Sequence, residues 1–273
     1  LIGCWLAAPA SASITLGQLA TSIPDSDCSG DIPIDELQPT VSSGNSYIVP
    51  SRGLITSWSN RSATDPGQVL AFKVFRNEGG NTYRVVGHDG PRALVSSALN
   101  TFPTSIAVQA GDVIGLHHGD TAAQTACNFG ATDTYFERNG DLLDGQFGDF
   151  HDYGPGNCCF YRLNVTAVFE PANSFTVGQI GRNKKKGTAT LGLDLPNAGD
   201  LTVSGKGLKA VIAGASAAQA VQPGSASVTI KAKGKQLRKL KSTGKVKVKP
   251  TITYTPTGGH PSTQPWKLTL KKA

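Results

Sequence analysis

The sequence has no methionine, and Asp, Glu, Lys and Arg together make up only 16% of its 273 residues. So little charge beside 38% apolar residues excludes a disordered chain, which needs the opposite balance. Beyond residue 12 no apolar run approaches the roughly 20 residues of a membrane helix, so no membrane span is expected. A sustained apolar period near 3.6, the mark of amphipathic helices, is missing as well. Catalytic signatures are equally scarce. There is no Gly-x-Ser-x-Gly elbow for a nucleophilic serine. Gly199 to Lys206 has the wrong spacing for a phosphate loop, and Gly207 stands where that loop needs Ser or Thr. The expectation is a protein that binds rather than catalyses.

Acidic residues nearly vanish from one part of the chain. Residues 171–273 carry 18 Lys and Arg against two Asp, a net of +16, whereas residues 1–170 carry 8 against 17, a net of −9. A break in charge and cysteine content at one point marks a domain boundary, here the turn-like Glu170-Pro171-Ala172-Asn173. Three segments are expected: residues 1–12, an acidic domain over 13–170 and a basic domain over 171–273.

The first segment, Leu1 to Ala12, reads as the tail of a signal-peptide apolar region, with Ala10-x-Ala12 as a small-x-small cleavage site. Leu1-Ile2-Gly3-Cys4 also fits a lipoprotein box that would leave a lipid on Cys4, but apolar Trp5 and Leu6 directly after it argue against that reading. Either way the expectation is an exported protein, secreted or attached to the cell surface. The other cysteines, Cys28, Cys127, Cys158 and Cys159, are even in number and point to two disulfides. A bridge between adjacent Cys158 and Cys159 would be a strained ring, which leaves Cys28 and Cys127 each joined to one of that pair. Their spacing matches no zinc pattern, so no metal site is expected there.

What is abundant is glycine (32) and proline (16), which punctuate short runs of alternating apolar residues. In the first domain such runs are Ser46–Pro50, Gly53–Ser59, Val69–Arg76, Thr82–Gly87, Ser105–Gln109, Asp112–His117 and Tyr161–Phe169. Leu70, Phe72 and Val74, and likewise Leu163, Val165, Ala167 and Phe169, should share one face each. In the second the runs are Ser174–Ile180, Thr188–Leu195, Asp200–Ser204, Lys209–Ile212, Ser227–Lys231, Lys245–Tyr254 and Trp266–Leu270, with a helical turn at Leu237–Leu240. Val246, Val248, Thr251 and Thr253 should face inward, with Lys245, Lys247 and Lys249 in solvent. Ser13–Leu19 and Ser174–Ile180 echo one another as two first strands. The expected fold is all-β, two β-sandwich domains, the first jelly-roll-like and the second immunoglobulin-like.

Gly181-Arg182-Asn183-Lys184-Lys185-Lys186-Gly187-Thr188-Ala189-Thr190-Leu191, Leu201–Gly207 and Tyr254–Gly259 resemble a lysine-rich, immunoglobulin-like domain found at the C-terminal ends of many secreted bacterial proteins. The resemblance covers residues 174–273. The first domain resembles uncharacterised secreted sandwich domains through Tyr47-Ile48-Val49-Pro50, Ile55-Thr56-Ser57-Trp58 and Ala110-Gly111-Asp112-Val113-Ile114-Gly115-Leu116. Neither resemblance implies an activity or catalytic residues.

Two regions stand out as candidate sites. Phe129 to Tyr161 combines eight aromatic rings with six acids and several glycines. Rings stack on apolar sugar faces and carboxylates accept hydroxyl hydrogen bonds. Tyr135, Phe136, Phe147, Phe150, Tyr153, Asp141 and Asp144 are therefore candidate glycan-binding residues. The same carboxylates could hold Ca2+, although Asn139-Gly140-Asp141-x-x-Asp144 is not an EF-hand loop. A glycosidase pair would need a carboxylate separation that spacing cannot supply. His117-His118 with Asp120 could meet at one metal only in a bent loop, because strand neighbours point to opposite faces. The second region is the lysine runs of the basic domain, Lys184, Lys185, Lys186, Lys231, Lys233 and Lys235. Its expected partners are anionic polysaccharides, either of the cell wall or extracellular. No specific nucleic acid is expected, since few aromatics interleave with these lysines and lysine lacks the bidentate fork of arginine.

Overall fold

The computed structural model describes residues 13–21, 33–119, 126–128, 133–153, 161–213 and 220–273. The chain is all-β, with one short helix among the described residues, and forms two compact units, Ser13–Glu170 and Pro171–Ala273. No helix of the described residues is long and apolar enough to cross a membrane. Residues 1–12, Cys28, Asp120, Phe129, Cys158, Cys159 and Phe160 lie outside the described residues, as do the side chains of Cys127 and Tyr161. The expected cleavage site, lipid box and disulfides fall there.

The first unit contains strands β1 (Ile14–Gln18), β2 (Ile34–Leu37), β3 (Gly53–Arg61), β4 (Val69–Gly79), β5 (Thr82–Ala93), β6 (Leu99–Val108), β7 (Val113–His118), β8 (Ala126–Asn128), β9 (Phe136–Asn139), β10 (Phe147–Asp149), β11 (His151–Asp152), β12 (Tyr161–Leu163) and β13 (Val165–Pro171). They build a four-stranded sheet, β1-β13-β3-β6, and a seven-stranded sheet, β10-β5-β4-β7-β2-β9-β11, with β8 and β12 paired separately. The alternation expected of Leu70, Phe72 and Val74 and of Leu163, Val165, Ala167 and Phe169 is present, and all seven are buried in one core. Trp58 of β3 joins the two sheets: its ring stacks on Phe72 of β4 at 5.7 Å, and its Nε1 donates to Asp89 of β5 at 2.6 Å. Burial alone would push the Asp89 carboxyl up, but hydrogen bonds from Arg92 and Trp58 outweigh it and hold it below the usual range.

Ser46–Pro50 is not a full strand. Only Ile48 bridges, to Val113, while Tyr47 turns inward and its hydroxyl donates to the Leu163 carbonyl. Beside it Asn164 fastens three segments. Its Oδ1 accepts from Ala20 N at 3.0 Å, its Nδ2 donates to Arg61 O at 2.6 Å, and its carbonyl accepts from Asn60 Nδ2 at 2.7 Å. Buried polar groups are tolerable when satisfied in this way.

The second unit holds β14 (Thr176–Asn183), β15 (Thr188–Leu195), β16 (Gly199–Ser204), β17 (Leu208–Ala213), β18 (Ala220–Val221), β19 (Gly224–Ala232), α1 (Lys235–Thr243), β20 (Lys245–Val248), β21 (Thr251–Pro256), β22 (Ser262–Pro265) and β23 (Leu268–Lys271). The sheets are β14-β15-β19-β17, β18-β16-β21-β22 and the pair β20-β23, enclosing a core of Leu191, Leu193, Val228, Ile230, Ile252, Tyr254 and others. The expected strand Lys245–Tyr254 is broken at Lys249-Pro250, because proline cannot donate to a ladder. Burial runs on through Val246, Val248, Pro250, Ile252 and Tyr254, so Thr251 and Thr253 do not face inward as expected, while Lys245, Lys247 and Lys249 are exposed. The helical turn lengthens into α1, closed by Gly244 in the left-handed region at φ 69°.

Strand packing is tightest at Gly115 of β7, where a Cβ would lie 2.0 Å from the Glu36 carbonyl oxygen of β2 and 2.8 Å from the Phe75 ring. Gly115→Ala should therefore cost about 1–3 kcal/mol, read as a lowered urea midpoint. A variant as stable as the parent would show that β2 and β7 part freely.

Candidate functional site

On β4, Phe72 and Val74 enter the core, so Lys73 between them points to the face of the seven-stranded sheet that turns away from the four-stranded one. Register places His88 of β5 opposite Lys73, and a neighbouring row aligns Ala71 of β4, His117 of β7 and Asp35 of β2. A lysine in an apolar strand would be ruinous without partners, and Lys73 has three. Its Nζ donates to Asp35 Oδ1 at 2.5 Å, to Asp141 Oδ1 at 2.6 Å and to the Leu142 carbonyl at 2.8 Å. The second oxygen of Asp35 accepts from Leu142 N at 2.8 Å. All three ammonium hydrogens are used, and segment 141–142 is tied to the sheet through both a side chain and its backbone.

Asp35 and Lys73 are buried, while the Asp141 side chain is 48% exposed. Burial would raise the Asp141 carboxyl, but the Lys73 hydrogen bond and the charges of Lys73, His117 and His88 outweigh it and hold it below the usual range. His117 stands beside this pair, with Nδ1 3.0 Å from Asp35 Oδ1 and Nε2 3.7 Å from Asp141 Oδ2. The first approach lacks the direction of a hydrogen bond, and Asp35 Oδ1 already accepts from Lys73. Ligand atoms of Asp35, His117 and Asp141 lie within 4.8 Å of one another, the spread of a metal site. The Lys73 ammonium stands between the two carboxylates as their cation, so these residues do not fit a resident metal while Lys73 is charged.

Next to the ion pair opens a cavity of about 450 Å3, whose lining combines apolar Val69, Leu70, Pro91 and Leu143 with polar Lys73, His88, His117 and Asp141. At its rim His88 Nδ1 meets Asp144 Oδ1 at 2.8 Å. A few polar groups within a largely apolar lining are the usual form of a small-ligand site.

The residues expected to contact a ligand divide. Tyr135, Phe136 and Phe150 are 2–6% exposed and belong to the core, which corrects their assignment to a ligand face. Phe150 meets Phe75 and Tyr83 edge to face at 5.4 and 5.6 Å, and Tyr83 meets Phe136 at 5.8 Å. The rings are held by one another in the core. Tyr135 donates its hydroxyl to Glu36. Tyr153 packs against the core, and its hydrogen bond to Glu137, together with burial, pushes its hydroxyl up to about 12. Phe147 is 60% exposed, with the Arg84 guanidinium 5.2 Å from its ring centre. Asp141 lines the cavity and Asp144 stands at its rim. Strand alternation parts His117 from His118, which is fully buried on the opposite face. Burial there lowers the His118 pKa. In the second unit Lys184, Lys185, Lys186, Lys231, Lys233 and Lys235 are all exposed.

Lys73 and Asp35 were not singled out from the sequence. The available signal was a lone lysine within Val69-Leu70-Ala71-Phe72-Lys73-Val74-Phe75, since a charge inside a fully apolar run demands a counter-charge. No protein-family model matches the chain, and no curated protein is similar to it. The likeness read from the second unit's motifs rests on those motifs alone.

Lys73→Met strands the Asp35 carboxylate in a buried site and should cost about 3–5 kcal/mol in urea unfolding, while adding Asp35→Leu should return most of that loss. Equal losses in both variants would mean that the pair is not the tie. For pH, His118 has a lowered folded pKa, so the unfolded chain takes up a proton that the folded chain refuses. Stability should fall as pH drops below about 6.5, down to the lowered value. Asp141 acts at lower pH: its contribution is present above the usual carboxylate range and is lost on acidification through its lowered folded pKa. Thermal melts from about pH 8 to pH 5 should show the first slope, and His118→Gln should flatten it.

Proposed function

We propose that this is a non-enzymatic binding protein of the cell envelope or exterior, whose first unit takes one sugar residue of a glycan and whose second unit attaches to anionic polymers. The observation that carries the reading is the cavity whose lining sets Lys73, His88, His117 and Asp141 among apolar residues. Its volume of about 450 Å3 suits a small ligand. Asp141 keeps its charge to low pH and accepts hydroxyl hydrogen bonds, and the ring nitrogens of the two imidazoles add polar contacts. The apolar lining offers contact to the C–H face of a sugar ring. The charge of the second unit supports attachment: it carries a net +16 with its lysines exposed.

A glycan array probed with the full chain tests the first half of this reading. His88→Ala and Asp141→Asn remove polar groups from the cavity and should weaken any array signal about ten-fold or more, which corresponds to at least about 1.4 kcal/mol. His88 sits at an exposed rim, so its variant should melt like the parent. The absence of any signal from the full chain, or a signal indifferent to both variants, would leave a spacer protein without a specific ligand.

A further inference from the structure

In the second unit, β17 and β19 pair so that Lys209 lies directly opposite Lys231. Like charges facing each other across a ladder are destabilising, and a sheet built only for stability would avoid them. Both side chains are exposed and line a groove of about 590 Å3 together with Lys233, Ser204 and Leu237. The groove's walls are fastened by a hydrogen bond from Lys233 N to Gly207 O at 2.8 Å. No acidic residue lines it. Among the described residues, no lysine of this unit forms an ion pair.

A third source of positive potential adjoins the lysines. Helix α1 starts at Lys235 next to Lys233, and Leu237 of its first turn lines the groove. Its N-cap, Gly234, supplies no side-chain cap, and its first turn has no acid. The first amides of a helix carry no intrahelical partner and hold the positive end of the helix dipole. Three lysines and a serine thus line one concavity that lacks a counter-charge, and a helix starts beside it.

We propose that this groove is the anion-binding site of the second unit and that it takes the phosphate groups of a flexible polymer. This inference rests on the attachment reading above and locates it. The class of anion follows from what lines the groove. It has no aromatic platform for a sugar face or a base, so recognition falls on the charged group itself. Compact ammonium groups bind phosphate as point charges, and a bound phosphate relieves the opposition of Lys209 and Lys231.

The test uses the full chain and linear sodium polyphosphate, with binding measured across a salt series. Two triple variants remove equal charge from different places: Lys209→Gln with Lys231→Gln and Lys233→Gln, and Lys184→Gln with Lys185→Gln and Lys186→Gln. The groove variant should bind at least about ten-fold more weakly at low salt, and its slope of log affinity against log salt should flatten by about 2, as expected for three lost contacts to a flexible chain. The turn variant should change far less. Polyphosphate should raise the melting temperature of the parent and leave that of the groove variant unmoved. Without ligand, the groove variant should melt no lower than the parent, since it loses a like-charge opposition. Equal losses in both variants would overturn the groove while leaving attachment by diffuse charge intact. Tighter binding of polygalacturonate or duplex DNA than of polyphosphate would overturn the choice of phosphate polymer. If none of the three polymers binds at low salt, attachment itself fails.

Discussion

The first unit depends on one buried ammonium. Lys73 sits at the centre of the seven-stranded sheet, where an unpaired charge would cost several kcal/mol, and its three hydrogen bonds decide what lies around it. Asp35 must face the same side from two strands away, which fixes the register of β2 against β7. Segment 141–142 must come down onto the sheet to bring Asp141 and the Leu142 carbonyl within reach. Once there, it buries Leu142 and leaves the cavity beside His117. A one-residue slip of β2 would send Asp35 to the core side and leave both charges alone. The ion pair thus specifies an arrangement that apolar residues alone would leave looser.

The two units handle charge in opposite ways. In the first, Lys73, Arg76, Arg84, Arg92 and Arg162 each pair with a carboxylate, and Arg162 does so inside the fold with Asp133. In the second, the lysines are exposed, and alternation keeps them off the core, as at Val246 and Val248 between Lys245, Lys247 and Lys249. Charge in the first unit is part of the architecture, whereas in the second it is carried by the architecture and left for the surroundings.

Much of the fold was legible because the apolar runs were bounded by turns and carried a period of two. Leu70, Phe72 and Val74 were found as one face of β4, although Ala71, Lys73 and Phe75 between and beyond them are buried too, and Thr188 to Leu195 largely alternates. The short strand β2 was not legible. Both faces of its sheet are covered, so all four residues of Ile34-Asp35-Glu36-Leu37 are buried, and its two acids resemble surface residues. The site was legible only in fragments. His117 stood out, but the spacing pointed to Asp120, whereas its neighbours Asp35 and Asp141 arrive through strand pairing and a returning loop. The aromatic segment misled for a related reason. Composition shows that rings are present but not which way they turn, and Phe75 and Tyr83, which claim Phe150, lie on other strands.

The seven-stranded sheet ends in strands of three and two residues, β10 and β11. In the second unit one sheet is bounded by two-residue β18 and by β22, which finishes at Pro265. At those four ends so little free ladder gives a neighbouring chain almost nothing to zip onto. Copies crowded side by side are therefore kept off these two sheets, and the longest ladders left for a neighbour are those of ten-residue β6 and eight-residue β14, each at the edge of its own sheet.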